Sequence, residues 1–301
     1  MTVTFDLEAP PVEPRDAATV VLLRDATSTA GAPGPLLFFV RRSAEARFMG
    51  GAYVFPGGRV DPGDAHPDTR CDLTPEEASR RLGEPDGARA LALHVAALRE
   101  CLEESGVLLG RPTPEDATLD DLRARLGVRG APRIGALLGP LGVTLQASAL
   151  VPFARWVTPT VETRRFDARF FLARCPGGHH RAAHDGAETV ASAWLTAQEA
   201  LARAHRGELV LAPPTYRTLE VLALARSVED ALALAQEPPL DPVEPVVEPL
   251  GDALVVLLPD DTQHPGAPSL RPRFLRGAWP QGALPATRFT YQDGCWVPGR
   301  G

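Results

Sequence analysis

Residues 88–105, ARALALHVAALRECLEES, constrain this chain more than any other stretch. Leu91, Val95, Leu98 and Leu102 recur at spacings of four and three, so a helix here carries an apolar stripe that must be buried. Gly106 follows and supplies a left-handed stop. Glu100, Glu103 and Glu104 stand at i, i+3 and i+4, which puts three carboxylates on one face of the same helix. Three clustered like charges repel and raise one another's pKa unless a cation sits among them. Hard divalent ions take oxygen ligands, and a helix fixed by its apolar side is a rigid place to hold them. Taken alone, E-x-x-E-E is most often a solvated helix face, so its surroundings decide how it is read.

The surroundings alternate strand and helix signals. Apolar, β-branched runs predict strands at 17–24, 36–42 and 53–55, the last halted by Pro56-Gly57-Gly58, and again at 150–157, 168–173 and 189–195. Helices are expected at 75–82, 119–126, 197–205 and 215–226, with another beginning near 228. Residues 1–16 read as a loose arm, 17–236 as one α/β domain, 237–249 as a proline-rich linker, and 250–301 as a small β-leaning extension with strands at 253–258 and 288–291. At 301 residues and 44% hydrophobic content, one substantial core plus such an extension is affordable. All 31 basic residues are arginine, and the net charge of -7 disfavours general nucleic-acid binding. No apolar run reaches membrane-spanning length, and the acidic, proline-rich start lacks the features of a signal peptide. Cys71, Cys101, Cys175 and Cys295 form no C-x-x-C pair and read as free thiols of a reducing cytoplasm.

The string Arg99-Glu100-Cys101-Leu102-Glu103-Glu104-Ser105-Gly106-Val107 matches R-E-U-x-E-E-x-G-U, the second half of the Nudix box, at every specified position. Upstream, Gly58 precedes Asp64 by six residues and resembles the first half, G-x5-E, with Asp in place of Glu. Residues 65–98 separate the halves, where the family ordinarily has seven. Such an insertion, centred on 66–87, is tolerable because the cost of loop closure grows only logarithmically. The chain therefore resembles a Nudix hydrolase. That resemblance implies an α/β/α sandwich with a mixed sheet and a divalent cation, Mg²⁺ or Mn²⁺. It also implies Glu100, Glu103, Glu104 and the Gly58 backbone as metal ligands, and Arg99 as the residue that orients a glutamate, with Glu103 one partner. Glu188, just before a strand, is the candidate for a further carboxylate from outside the box; an exposed loop glutamate is the competing reading.

A second signature precedes the box. Nudix enzymes acting on coenzyme A resemble one another in L-L-T-x-R-[S/A]-x3-R-x3-G-x3-F-P-G-G. Here Arg42-Ser43, Arg47, Gly51 and Phe55-Pro56-Gly57-Gly58 keep that spacing, and Phe38-Phe39-Val40 replaces the opening. Arg42 and Arg47 suit a diphosphate and a ribose phosphate, and Gly51, Gly57 and Gly58 let backbone approach a ligand closely. The stretch R-W-V-T-P-T-V-E-T-R-R-F-D-A-R-F-F-L-A adds Arg164, Arg165 and Arg169, and resembles the acyl-CoA diphosphatase branch with an interrupted box. The small-molecule substrate this implies is coenzyme A or an acyl-CoA, cut to adenosine 3′,5′-bisphosphate and (acyl-)4′-phosphopantetheine. Other nucleoside diphosphate derivatives, such as ADP-ribose or NADH, and a ligand sensor without turnover are the rival readings. His179, His180 and His184 read as a solvated loop, Trp156, Trp194 and Phe170 as core, and Cys101 as an apolar filler. Oligomeric state stays open, a homodimer included.

Overall fold

A computed structural model of the chain describes residues 10–26, 34–45, 49–128, 130–177, 182–183, 185–186, 189–235, 238–250, 253–266, 285–292 and 294–301. In chain order the elements are β1 (Arg15–Arg24), β2 (Leu36–Arg42), β3 (Tyr53–Val54), β4 (Gly57–Arg59), α1 (Pro75–Leu82), α2 (Gly87–Ser105), β5 (Gly110–Arg111), α3 (Asp116–Leu126), α4 (Ile134–Leu138) and β6 (Thr144–Leu145). There follow β7 (Val151–Val157), β8 (Phe166–Arg174), β9 (Thr189–Thr196), α5 (Ala197–His205), α6 (Pro213–Leu222), α7 (Val228–Ala233), β10 (Pro242–Val243), β11 (Val246–Leu250), β12 (Ala253–Leu257), β13 (Arg288–Gln292) and β14 (Cys295–Gly299).

The apolar runs of β1 and β8 pair in parallel from Arg15↔Phe166 to Leu23↔Arg174 and form the spine of a mixed sheet. On one side of the spine, β7 pairs antiparallel with β8, and β10 pairs parallel with β7. On the other side, two strands share the free edge of β1. β2 holds Leu23 and Arg24, whereas β4 holds Ala17, Ala18 and Thr19. The sheet thus opens between β2 and β4, beside the helix that carries the carboxylates. Alternation along β1 divides two cores. Ala18, Val20 and Leu22 face α1 and α2, and Val21 and Leu23 face α5, α6 and the C-terminal strands. This is the expected layered α/β/α arrangement.

Two expectations are corrected here. The strand expected at 53–55 ends at Val54, ahead of Pro56 as expected, but Gly57 and Gly58 then open a further strand, β4. A Cβ on Gly57 would lie 2.6 Å from the Ala18 carbonyl oxygen, so only glycine lets β4 come this close to β1. Residues 237–249, expected as a linker, carry β10 and β11, one in the main sheet and one in a four-stranded antiparallel sheet with β12, β13 and β14. Proline donates no backbone N–H, and the proline-bearing pair β10 accordingly lies at the edge of its sheet. The small sheet buries Val247, Val256, Phe289 and Trp296 against Tyr216 and Leu219 of α6, so the extension shares the second core.

The insertion packs as well. Thr74 caps α1 in a reciprocal capping box with Glu77, and Gly83 ends it at φ 66°. Leu73, Ala78 and Leu82 join the first core, and Arg81 donates to the carbonyls of Ser148 and Leu150, both at 2.9 Å. α2 is therefore covered on more than its one predicted stripe, and Ala92, Leu93, Ala96 and Ala97 are buried with Val95 and Leu98. Among the described residues no helix is long and apolar enough to cross a membrane. All four cysteines are free.

Candidate active site

α2 is fixed at both ends by its own sequence. Asp86 accepts from the Arg89 amide at 3.1 Å, and Gly106, at φ 73°, returns its amide to Leu102. The carbonyls left over at its C-terminus receive Arg123 of α3, which donates to Glu103 at 2.8 Å and to Glu104 at 2.9 Å. The last turn is thus held by the Gly106 amide and by the Arg123 side chain, and its carboxylates are positioned with it.

Arg99 is the hub. Its Nε and one Nη donate to the two oxygens of Asp64 at 2.8 and 3.0 Å, a bidentate pair in which both side chains are buried. The other Nη donates to Glu100 Oε1 at 2.8 Å and Glu103 Oε1 at 3.1 Å, and a further bond reaches the Arg59 carbonyl. Asp64 thus closes the insertion onto the helix. Asp61 assists: its amide donates to Asp64 Oδ2 at 2.8 Å, making a tight turn of this loop. Burial opposes the charge on Arg99, yet Asp64 and the neighbouring glutamates hold its pKa above the usual range. The same burial lifts the Glu100 carboxyl to about 7, with the negative charge of Glu103 adding to the rise, and it lifts Glu103 as well.

The glycines complete this wall. The Gly57 amide donates to Glu104 Oε2 at 3.0 Å. A Cβ on Gly58 would fall 2.3 Å from Glu100 Oε1, so the carboxylate lies directly against that backbone and leaves no room for a side chain. Among the described residues, no three His, Cys, Asp or Glu side chains draw close enough to cage a metal ion by themselves. Arg99 bridges Glu100 to Glu103, and Glu104 is turned onto Gly57. The donor chemistry nevertheless fits a hard divalent cation. Glu100, Glu103 and Glu104 line one cleft, and the desolvation that raises Glu100 is what a bound cation would offset.

That cleft measures about 1340 Å³. Arg42 lines it, with Nε buried and making no hydrogen bond, while Gly51 closes the turn below at φ 79° and donates to the Arg42 carbonyl at 3.2 Å. Arg47 and Glu188 lie outside the described residues, as do His179, His180 and His184. Of the three later arginines only the exposed Arg164 lines the cleft. Arg165 is buried and donates to the Thr158 and Val12 carbonyls, both at 2.9 Å, and to Glu244. Arg169 is buried between Asp167 and Glu84. The sequence shows their charge, but not that acids 79 and 85 residues away, with Asp167, neutralise them.

Sequence reasoning passed over several groups. Glu162, on the β7–β8 loop, lines the cleft, and burial lifts its pKa to about 6. It lies in no motif. Val256 and Trp296 of the C-terminal sheet also line the cleft, with Pro245 beside them. Trp156 and Phe170 are buried, as expected, and yet border it too.

A mixed sheet split beside an R-E-x-x-E-E helix, with a glycine strand laid against the carboxylates, defines a Nudix domain. The comparisons agree. The NUDT19 Nudix domain family matches residues 76–222. The acyl-coenzyme A diphosphatase NUDT19 of Homo sapiens is 31% identical over 298 residues, covering 82% of this chain and 79% of that protein. Its namesake from Gallus gallus is 29% identical, covering 84% and 80%. The crystal structure of a Nudix hydrolase from Alicyclobacillus acidocaldarius superposes with a TM-score of 0.59 at 31% identity, covering 75% of this chain and 99% of that one. The chain belongs to the Nudix hydrolase family, in its NUDT19 branch.

Proposed function

We propose that this enzyme hydrolyses the diphosphate bond of coenzyme A or an acyl-CoA, releasing adenosine 3′,5′-bisphosphate and (acyl-)4′-phosphopantetheine. The observation that carries this reading is the coincidence of both signatures on one cleft: the carboxylates of α2 and the Arg42 loop open onto the same space. The names of the relatives support the substrate class. Glu100, Glu103, Glu104 and the Gly58 backbone are assigned to a divalent cation, Mg²⁺ or Mn²⁺. When bound, that ion supplies charge neutralisation at the diphosphate and a more acidic water. Arg99, clamped by Asp64, keeps Glu100 and Glu103 in place. Arg42, with Arg47, is assigned to the substrate's phosphates, as the coenzyme A signature implies. The free thiols fit a cytoplasmic protein.

The test is a substrate panel. Purified protein is incubated with CoA, acetyl-CoA, longer acyl-CoAs, ADP-ribose and NADH, with Mg²⁺ or Mn²⁺, and the products are identified. CoA compounds are expected to turn over fastest. Faster turnover of ADP-ribose or NADH would overturn the substrate assignment while leaving the diphosphatase chemistry standing.

A further inference from the structure

The cleft is larger than its charged end requires. Sites for drug-sized molecules span roughly 300–1000 Å³, and this one measures about 1340 Å³. Its floor can be followed strand by strand. Gly57 pairs with Thr19, Thr19 with Phe170, and the next strand brings Trp156 opposite Ala168. Thr19, Phe170, Ala168 and Trp156 all line the cleft. From the glycines beside Glu100 and Glu104 to Trp156 is three strand spacings, roughly 14 Å at about 4.8 Å each. Val256 and Trp296 of the C-terminal sheet line the same cleft and share the second core with Trp156 and Phe170.

The two ends differ in chemistry. Arg42, Arg59, Arg99 and Arg133 line the cleft with the carboxylates, whereas Trp156, Phe170, Val256 and Trp296 are apolar and 9% exposed or less, with Glu162 and Arg164 of the β7–β8 loop also on the lining. A ligand spanning both must be anionic at one end and apolar at the other.

We propose that the apolar end, walled by Trp156, Phe170, Val256 and Trp296, receives the acyl-pantetheine arm of the substrate, so that the C-terminal sheet sets acyl-chain preference. This rests on the substrate class proposed above. It gives the extension a role at the site that sheet packing alone does not require. The chain would leave water for a surface already desolvated, and each methylene so buried is worth roughly fourfold in affinity.

Two substitutions test it. Val256→Phe fills the apolar end, and Trp296→Leu shortens its wall. For each, kcat/KM is measured with free CoA, acetyl-CoA, octanoyl-CoA and palmitoyl-CoA, after thermal denaturation has confirmed a folded protein. The ratio of palmitoyl-CoA to free CoA is expected to fall about tenfold or more in Val256→Phe and severalfold in Trp296→Leu, with the loss growing with chain length. Ratios within twofold of the unmodified protein overturn the proposal. So does an equal fall for every substrate, which would put a part common to all of them against this wall. If Val256→Phe does not fold, Trp296→Leu decides alone. Failure of the substrate reading appears elsewhere, as no turnover of any CoA compound by the unmodified protein.

Discussion

Two ionic clusters built from the same residue types lie on either side of β1, and they differ in how their charges add up. Beside the cleft, Asp64, Glu100 and Glu103 share the single guanidinium of Arg99. Beneath the insertion, Arg89, Arg155 and Arg169 are matched by Asp16, Glu84 and Asp167. The titration behaviour follows the balance. Burial disfavours the charge on Asp167 too, yet the bond from Arg155 and the charges of Arg169 and Arg89 hold its carboxyl below the usual range. Glu100, with too little positive charge, is pushed up to about 7. A balanced cluster is structure, and an unbalanced one marks where an external cation is wanted.

The sharpest way to break this comparison is Glu100→Gln. It should lower kcat on the order of 10²–10³-fold without lowering the melting temperature, because it removes one of the competing charges. A parallel loss of stability would make the two clusters alike. Asp167→Asn should do the reverse. It leaves buried arginines short of a partner and should cost about 3 kcal/mol in chemical denaturation, with kcat per folded molecule preserved. Asp64→Asn tests the link between insertion and helix, and roughly 10–100-fold should be lost in metal affinity or rate, as for residues that orient ligands.

Acid and base separate the clusters further. Asp167 has a depressed folded pKa, so its stabilisation is present above the unfolded value near 4 and is lost as pH falls. Glu100 has a raised folded pKa, so in chelator its ionisation subtracts stability as pH climbs from about 4.5 through 7. Against pH the two variants should therefore depart from the parent in opposite directions, Asp167→Asn falling below it above about pH 4 and Glu100→Gln rising above it toward pH 7, and both should converge on it in acid. The smallest effect is expected from Arg42→Ala, with KM for CoA rising roughly tenfold and rising less for ADP-ribose, measured by initial rates.

What could be read from the sequence was local. The helix, its stripe, its acidic face and its C-terminal glycine all lie within 20 residues of one another, and α1 and α5 appear at their expected bounds. What could not be read was non-local. Glu103, the expected partner of Arg99, is joined by a bidentate one 35 positions upstream, Asp64, across the insertion that separates the two halves of the box. Glu244, which pairs with Arg165, and Glu84, the second acid beside Arg169, are farther still. Val256 and Trp296 join the cleft only because β12 and β14 fold back on α6, and no spacing rule connects residues so distant. Gly57 and Gly58 were visible as glycines. That they form a strand depends on a clash only the neighbouring strand can reveal.

The shared edge of β1 has a mechanical consequence. Its first half suspends the glycine strand that touches Glu100 and Glu104, and its second half suspends the hairpin partner that leads to Arg42. Both the glycine strand and the hairpin that carries Arg42 hang from one rod, which is itself locked to β8 along its length. The spacing between the sites proposed for the cation and for the phosphates is therefore set by one strand held along its length by β8, and adaptation to different substrates is left to the far side of the cleft.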